Sequence, residues 1–185
     1  VLSNADHPEY GVATIPLPIP RNQYDHCVAL LEALEIGDAS EADCRLDSLD
    51  SAWPVLNRLV CTKVNLDELD YLAKRLDSFT VGEFSQFQAM AEKLNLASMK
   101  DLINLTFNLD HFTLCKDVSS YGKIGREYVM NTEGAVPAHD EDDPKYAAIG
   151  KDLIDRGLAQ ITEKGLLIYN PFDELTEVYD GQTFP

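Results

Sequence analysis

The sequence has no long apolar run and nothing that resembles a secretory leader. A membrane-spanning helix needs roughly 18 consecutive apolar residues, and no stretch of the 185 residues approaches that length. The opening, VLSNADHPEYG, has neither a charged n-region nor an apolar core. We therefore expect neither a membrane span nor a secreted protein.

Cysteine is also scarce. The four cysteines stand at positions 27, 44, 61 and 115, and no two of them form a C-x-x-C pair. Their density is far below that of a small disulfide-stapled domain. The pattern predicts reduced thiols and a cytoplasmic protein.

Basic residues are few relative to acidic ones. There are 15 Lys and Arg against 32 Asp and Glu, so the formal net charge is −17. Direct binding to nucleic acid or to an anionic membrane requires clustered cations, so both are disfavoured. A general gain in solubility explains much of such an excess. It explains less well the segment from position 25 to 50, where eight acids accompany a single base, Arg45.

Recognisable catalytic motifs are missing. The four histidines are far apart, and the sequence contains no G-x-S-x-G, no H-E-x-x-H and no dinucleotide fingerprint. His111 and Cys115 are either a Cys/His dyad or, as we favour, ordinary neighbours on a strand. The acidic string HDEDDPK (139–145) is either a cation site or, as we favour, a solvated loop, because it lacks the spacing of a calcium loop. GKIGREY (122–128), with two glycines and an Arg near a helix start, is either a phosphate-binding turn or, as we favour, ordinary turn chemistry, because it fits no phosphate-loop pattern. The sequence thus predicts no enzyme, no metal and no cofactor.

Hydrophobic periodicity and turn residues predict an α+β fold. The first dozen residues are expected to be frayed, and 13–20 to form an edge strand or an extended arm. Helices are expected at about 22–36, 52–60, 66–77, 81–94, 99–107, 121–131 and 145–156. Strands are expected at 41–49 and 111–118, in a hairpin over 159–170, and at 176–184. Composition shifts place three subdomains at 1–62 (mixed α/β), 63–110 (helical) and 111–185 (α+β).

The best-defined predicted helix is in the string NLDELDYLAKRLDS (65–78). Asn65 is a suitable N-cap, as are Thr80 and Ser98 before the next two helices, because each precedes an acid by three residues. Leucines at helical spacing should face the core. The opposite side should then present Asp67, Asp70 and Asp77 to solvent.

Three longer strings resemble one known family. They are IPLPIPRNQYDHCVALLEALEIGDA (15–39), VNLDELDYLAKRLDSFTVGEFSQFQAMAEKL (64–94) and MKDLINLTFNL (99–109). They are similar to the ArdA antirestriction family, and most of all to versions carried by mobile elements of Gram-positive bacteria. The pieces IGREYVMN, GLLIYN and VYDGQTFP extend the resemblance, so that it covers roughly 13–185. The family's short N-terminal pattern, with a Gly-x-Trp, is absent, and the single Trp is at position 53.

The resemblance implies a DNA mimic. Proteins of this family are not enzymes; they occupy the DNA-binding channel of type I restriction-modification enzymes when foreign DNA enters a cell. It also implies an elongated fold of three small domains and a homodimer. The alternative is an acidic adaptor that binds a basic protein unrelated to restriction. Either function would use an acidic surface, for which the candidate residues are Glu32, Glu35, Asp38, Glu41, Asp43, Asp47, Asp50, Asp67, Asp70, Asp77, Asp140, Glu141, Asp142 and Asp143.

Overall fold

A computed structural model describes residues 1–38, 40–137, 143–169 and 175–185. Within these ranges the fold is mixed α+β, as predicted. The α-helices are α1 (Tyr24–Ala33), α2 (Leu66–Asp77), α3 (Val81–Lys93), α4 (Met99–Leu105), α5 (Tyr121–Glu133) and α6 (Pro144–Asp155). The strands are β1 (Leu2–Asn4), β2 (Val12–Ala13), β3 (Cys44–Leu46), β4 (Lys63–Val64), β5 (Phe112–Cys115), β6 (Ala159–Thr162) and β7 (Gly165–Tyr169).

The chain forms two compact units. Unit 1 comprises Val1–Thr80, Asn95–Thr106 and Val178–Pro185, and unit 2 comprises Val81–Leu94 and Phe107–Glu177. The predicted helical subdomain, 63–110, is distributed over both, because α2 and α4 belong to unit 1 and α3 belongs to unit 2. The division into three subdomains and the elongated shape stay predictions.

Unit 1 contains an antiparallel sheet with the strand order β2-β1-β3-β4. The expectation that the first dozen residues are frayed is wrong, since β1 is buried and pairs with β3 at Leu2 and Leu46. Asn4 fixes the end of β1. Its Nδ2 donates to the carbonyl of Leu34 at 3.0 Å, and its Oδ1 accepts from the backbone N–H of His7 at 2.9 Å. The strand therefore depends on contacts some 30 to 44 positions further along the chain.

The helix α2 is the element that matches its prediction most closely. The side chain of Asn65 accepts from the backbone N–H of Glu68 at 3.0 Å, which satisfies one of the free amides at the helix start. Leu69, Leu72 and Leu76 are all buried. The cap and the apolar stripe together account for its bounds.

Two predicted elements are displaced. The helix over 22–36 ends earlier, at Ala33, because Glu35 takes a left-handed conformation with φ of 54° and turns the chain. The segment 52–60 is a 3-10 helix, Pro54–Leu59, rather than an α-helix.

The predicted strand over 176–184 does not form, and the chain after position 175 is irregular. In unit 1 this segment is held by Asn104, whose Oδ1 accepts from the backbone N–H groups of Val178 and Tyr179, both at 2.8 Å. The Nδ2 of Asn104 donates to the carbonyl of Tyr179 at 2.9 Å. The Tyr179 ring stacks on Phe184, and its hydroxyl donates to Glu68 at 2.9 Å. Asn104 thus satisfies three main-chain groups of this segment that a neighbouring strand could otherwise have bound.

Unit 2 packs α5 and α6 beside a three-stranded antiparallel sheet of order β5-β7-β6. The predicted hairpin over 159–170 is present as β6 and β7. The helices meet at glycines, since a Cβ on Gly125 would lie 1.9 Å from the carbonyl oxygen of Tyr146. A Cβ on Gly150 would similarly lie 2.1 Å from the carbonyl oxygen of Tyr121. Gly125 is therefore a packing residue within a helix, and the interpretation of GKIGREY as turn chemistry is wrong.

None of the helices in the described ranges is both long enough and apolar enough to cross a bilayer.

Candidate acidic surface

The acids between positions 32 and 50 fall into two groups by exposure. Asp43 and Asp47 are half-buried. The others are exposed, and within the described chain none of them forms an ion pair; they are Glu32, Glu35, Asp38, Glu41 and Asp50. The run of acids is therefore mostly a solvent-facing surface.

Asp43 closes the turn that carries two of these exposed acids. Its Oδ2 accepts from the backbone N–H groups of Gly37 at 2.8 Å and Asp38 at 3.1 Å. Its Oδ1 accepts from the thiol of Cys44 at 3.2 Å. Burial, and then the adjacent carboxylate, raise the pKa of the Cys44 thiol to about 12. Cys44 is consequently a neutral core residue. Asp43 contributes to the surface by fixing the turn that carries Asp38.

Asp38 is held as an anion by its own turn. Hydrogen bonds from the backbone N–H of Ser40 (3.0 Å) and then from its hydroxyl (2.9 Å) lower the pKa of Asp38. Both bonds favour the ionised form. Asp38 therefore carries its charge to lower pH than an isolated carboxyl would.

This turn packs against the start of α2. The side chain of Asn65 donates to the carbonyl of Glu41 at 3.0 Å, while its oxygen caps the helix. Gly37 lies against Leu66, since a Cβ at this glycine would be 3.3 Å from that side chain. The first turn of α2 adds the exposed Asp67. Three exposed acids from two distant parts of the sequence are thus gathered at one end of α2, and we call Asp38, Glu41 and Asp67 the α2-start surface.

The remaining acids of α2 differ from each other. Asp77 is exposed, but the expectation that Asp70 faces solvent is wrong, because its side chain is only 13% exposed. Its Oδ1 accepts from the backbone N–H of Ile19 at 2.8 Å, and its Oδ2 pairs with Lys74 at 2.6 Å. Asp70 therefore attaches the proline-rich arm before α1 to this helix.

Two more candidate acids are engaged within the chain. The Oδ1 of Asp47 lies 3.4 Å from Nε of Arg45. Asp143 is the N-cap of α6, since its Oδ1 accepts from the backbone N–H of Lys145 at 2.8 Å. The rest of the predicted acidic loop, Asp140, Glu141 and Asp142, lies outside the described residues.

Several basic residues form ion pairs with acids in their own unit. Lys63 pairs with Asp6 at 2.7 Å and Lys123 pairs with Asp117 at 2.6 Å. In unit 2 the pairing with Lys123 and the hydrogen bonds from Ser119 hold the pKa of Asp117 well below its usual range. Unit 1 has 16 acids and 7 bases, a net −9, and unit 2 has 16 and 8, a net −8. Both units therefore carry a large negative charge.

Among the described residues, His111 and Cys115 are not arranged as a catalytic dyad. His111 ends a 3-10 helix before β5, and Cys115 is buried at its far end, with Sγ 3.8 Å from the carbonyl of Ile124. Burial raises the pKa of the Cys115 thiol to about 12, with Glu127 adding to the rise. Such a thiol is not a nucleophile at neutral pH. Over the described ranges, no three His, Cys, Asp or Glu side chains are placed to hold a metal ion.

Sequence reasoning missed Glu68. This carboxylate is half-buried and accepts from the hydroxyl of Tyr179, and burial together with Glu68 raises the pKa of that tyrosine. The partners are 111 positions apart. No local signal in the sequence distinguishes Glu68 from Asp67 beside it.

Comparisons with protein families, curated proteins and solved structures give no match to this chain.

Proposed function

We propose that this chain is an antirestriction protein of the DNA-mimic type, as the resemblance to the ArdA family suggests. It occupies the DNA-binding channel of a type I restriction-modification enzyme in the cytoplasm. In this proposal it acts without catalysis and without a cofactor, as a homodimer. The enzyme is its protein partner, and the chain does not bind nucleic acid itself.

The observation that carries the proposal is the α2-start surface together with the exposed acids that precede it. Asp38, Glu41 and Asp67 are exposed and lack ion-pair partners among the described residues. A Lys- and Arg-lined groove that binds phosphate also pairs with carboxylates, which accept bidentate hydrogen bonds from Arg. Such a groove would therefore bind this surface in place of DNA.

The overall charge has the right magnitude for a short duplex. Duplex DNA has one charge per roughly 1.7 Å of axis, or about two per base pair. The net charge of −17 therefore corresponds to the phosphates of about eight or nine base pairs. A homodimer would double that length.

The helix α2 is too sparsely charged to mimic DNA by itself. Its 12 residues extend about 18 Å, over which a duplex presents about ten phosphate charges. The helix presents only Asp67 and Asp77 as exposed acids, because Asp70 is engaged with Ile19 and Lys74. We therefore assign α2 mainly to the scaffold and the 32–50 segment to the mimicking surface.

The test is a competition experiment with a type I enzyme and a labelled duplex that contains its recognition site. We expect the chain to displace the DNA at low salt, and we expect displacement to weaken steeply as salt rises, because the contacts are ionic. If enzyme occupancy of DNA is unchanged at a large excess of the chain, the proposal is wrong. The acidic adaptor would then be the better interpretation.

Variants separate a distributed surface from a local site. Neutralising five exposed acids together, in the variant E32Q/E35Q/D38N/E41Q/D50N, should weaken inhibition by at least about tenfold. Any single change should weaken it by less than about fivefold, because single exposed charge interactions are weak. The matched control, E32D/E35D/D38E/E41D/D50E, exchanges the same side chains but keeps every charge. Abolition of inhibition by one neutral substitution would indicate a localised site instead of a mimicking surface.

A further inference from the structure

Unit 1 contains a cavity of about 430 Å³. One wall is the arm 14–18, a second is the stretch 48–53, and the third is the inner side of α2. Most of its lining is apolar, including Ile15, Trp53, Leu69 and Leu76. The volume and the lining are typical of binding cavities, which generally measure about 300 to 1,000 Å³.

The walls are fixed by specific contacts. The arm is attached to α2 by the hydrogen bond from the Ile19 N–H to Asp70, and the neighbouring Lys74 neutralises that carboxylate. Trp53 meets Phe79 edge to face, with ring centroids 6.0 Å apart. The cavity is therefore bounded by elements that are tied to one another within unit 1.

The cavity carries negative charge in addition to its apolar lining. Asp50 and Asp77 both line it, both are exposed, and neither is ion-paired within the part of the chain that the structure describes. Val1 also lines it, but its amino group already donates to the carbonyl of Ser48 at 2.8 Å, and burial lowers the pKa of that group. The charges left for an occupant are therefore the two carboxylates.

We infer that this cavity binds an apolar side chain flanked by Arg or Lys, presented by a basic protein segment. The apolar side chain would enter against Trp53 and the leucines that line the inner side of α2. The flanking cations would pair with Asp50 and Asp77, and a guanidinium near the indole would gain a cation–π contact. This inference goes beyond the proposed function, because it rests on the cavity alone and holds for any basic partner.

Trp53 makes the inference directly measurable, since it is the single tryptophan of the chain. The probe is the peptide acetyl-Lys-Arg-Phe-Lys-Arg-amide, titrated into the full chain at about physiological salt, where surface charges are screened beyond about 8 Å. We expect a saturable change in Trp53 fluorescence. Replacing the Phe of the peptide with Ser should weaken binding by at least about tenfold, since a buried aromatic side chain contributes strongly to affinity. Replacing its Lys and Arg with Gln should weaken binding about three- to tenfold.

Variants of the chain locate the bound peptide. Ala73 lines the cavity, so Ala73→Leu should fill it and abolish the fluorescence response, whereas Ala29→Leu on the exposed side of α1 should not. The variant D50N/D77N should weaken binding about three- to tenfold. Its charge-matched control, D25N/E133Q, changes two exposed acids that neither line the cavity nor belong to the proposed acidic surface, and should leave binding unchanged.

Each outcome has a defined meaning. Equal binding of the Phe and Ser peptides would overturn the inference, because it would show attraction to the acidic surface at large. Binding that survives Ala73→Leu, or the absence of any saturable response, would overturn it as well. The small molecule 4-phenylbutylammonium carries one aromatic ring and one cation. If it binds as tightly as the peptide, the assignment of the occupant to a protein segment is wrong. Inhibition of a restriction enzyme by a variant that has lost peptide binding would leave the proposed function standing, so the two proposals fail separately.

Discussion

Gly125 offers the sharpest test of the helix packing in unit 2. The crossing of α5 and α6 leaves no space there, because a Cβ at Gly125 would lie 1.9 Å from the carbonyl oxygen of Tyr146 and 2.8 Å from the backbone nitrogen of Gly150. Real Cβ atoms stay more than 3.0 Å from such neighbours. Gly125→Ala must therefore separate two helix backbones by more than 1 Å, and no flexible side chain can absorb the change.

The magnitude follows from two opposing effects. Overpacking a well-packed core typically costs about 1 to 3 kcal/mol, and a contact between backbones belongs at the upper end of that range. Alanine is the better helix former by about 1 kcal/mol, which offsets part of the cost. We expect Gly125→Ala to lower the free energy of unfolding by about 2 kcal/mol, measured by urea titration with far-UV circular dichroism.

Gly122 in the same helix is the matched control. A Cβ there would meet nothing closer than the Ser120 hydroxyl at 3.8 Å. Gly122→Ala should leave the free energy of unfolding unchanged or raise it by up to about 1 kcal/mol. A Gly125→Ala protein as stable as the wild type, or equal stabilities of the two variants, would refute the close packing of the helices.

Two further predictions concern carboxylates with contrasting environments. Burial raises the pKa of Glu127, so the folded state binds this proton more tightly than the unfolded state, and the free energy of unfolding falls as the pH rises through that range. Glu127→Gln should therefore raise the free energy of unfolding near pH 7. This increase should shrink toward zero at a pH below the ordinary carboxyl pKa. An equal increase in urea titrations at both pH values would contradict the prediction. Asp70→Ala should cost about 1 to 2 kcal/mol, because it leaves the N–H of Ile19 without its acceptor. The control is Asp77→Ala at the exposed end of the same helix, which should change the free energy of unfolding by less than about 0.5 kcal/mol. If both variants unfold at the same temperature, the arm does not depend on Asp70.

Local signals predict α2 and the start of α4 well. The bounds of α2 follow from Asn65 and a leucine stripe, and both act within the helix or one residue before it. The cap of α4 at Ser98 was predicted in the same way, and its hydroxyl accepts from the Asp101 N–H at 3.1 Å. Capping and periodicity are short-range effects, so the sequence alone expresses them.

Elements that depend on distant partners were not predictable. The strand β1 has only three residues, and its burial is decided by pairing with β3, which lies 40 to 44 positions away. The 176–184 segment looks like a strand but has its polar groups bound by Asn104 instead. Neither segment contains a local sequence signal that identifies its partner.

The candidate acidic surface was predictable only in part, because exposure also depends on distant contacts. Helical spacing places Asp67, Asp70 and Asp77 on the side away from the leucines, but it cannot show that the arm before α1 covers Asp70. Likewise, the run of acids predicts exposure in general, while the geometry of one turn engages Asp43 and leaves Asp38 in solvent. Pattern locates acidic residues, and tertiary contacts decide which of them a partner can reach.

The hydrogen bonds from Asn104 determine which positions of the 178–185 segment can accept substitutions. Its hydrogen bonds to this segment go to the main chain of Val178 and Tyr179, which every amino acid except proline supplies in full. Position 178 should therefore tolerate most substitutions, whereas proline there would remove a donor. Position 104 has no such freedom, since only an amide side chain of that length offers an acceptor and donors together. Among natural or engineered variants, we therefore expect substitutions at position 178 to be common. We expect substitutions of Asn104 to be rare.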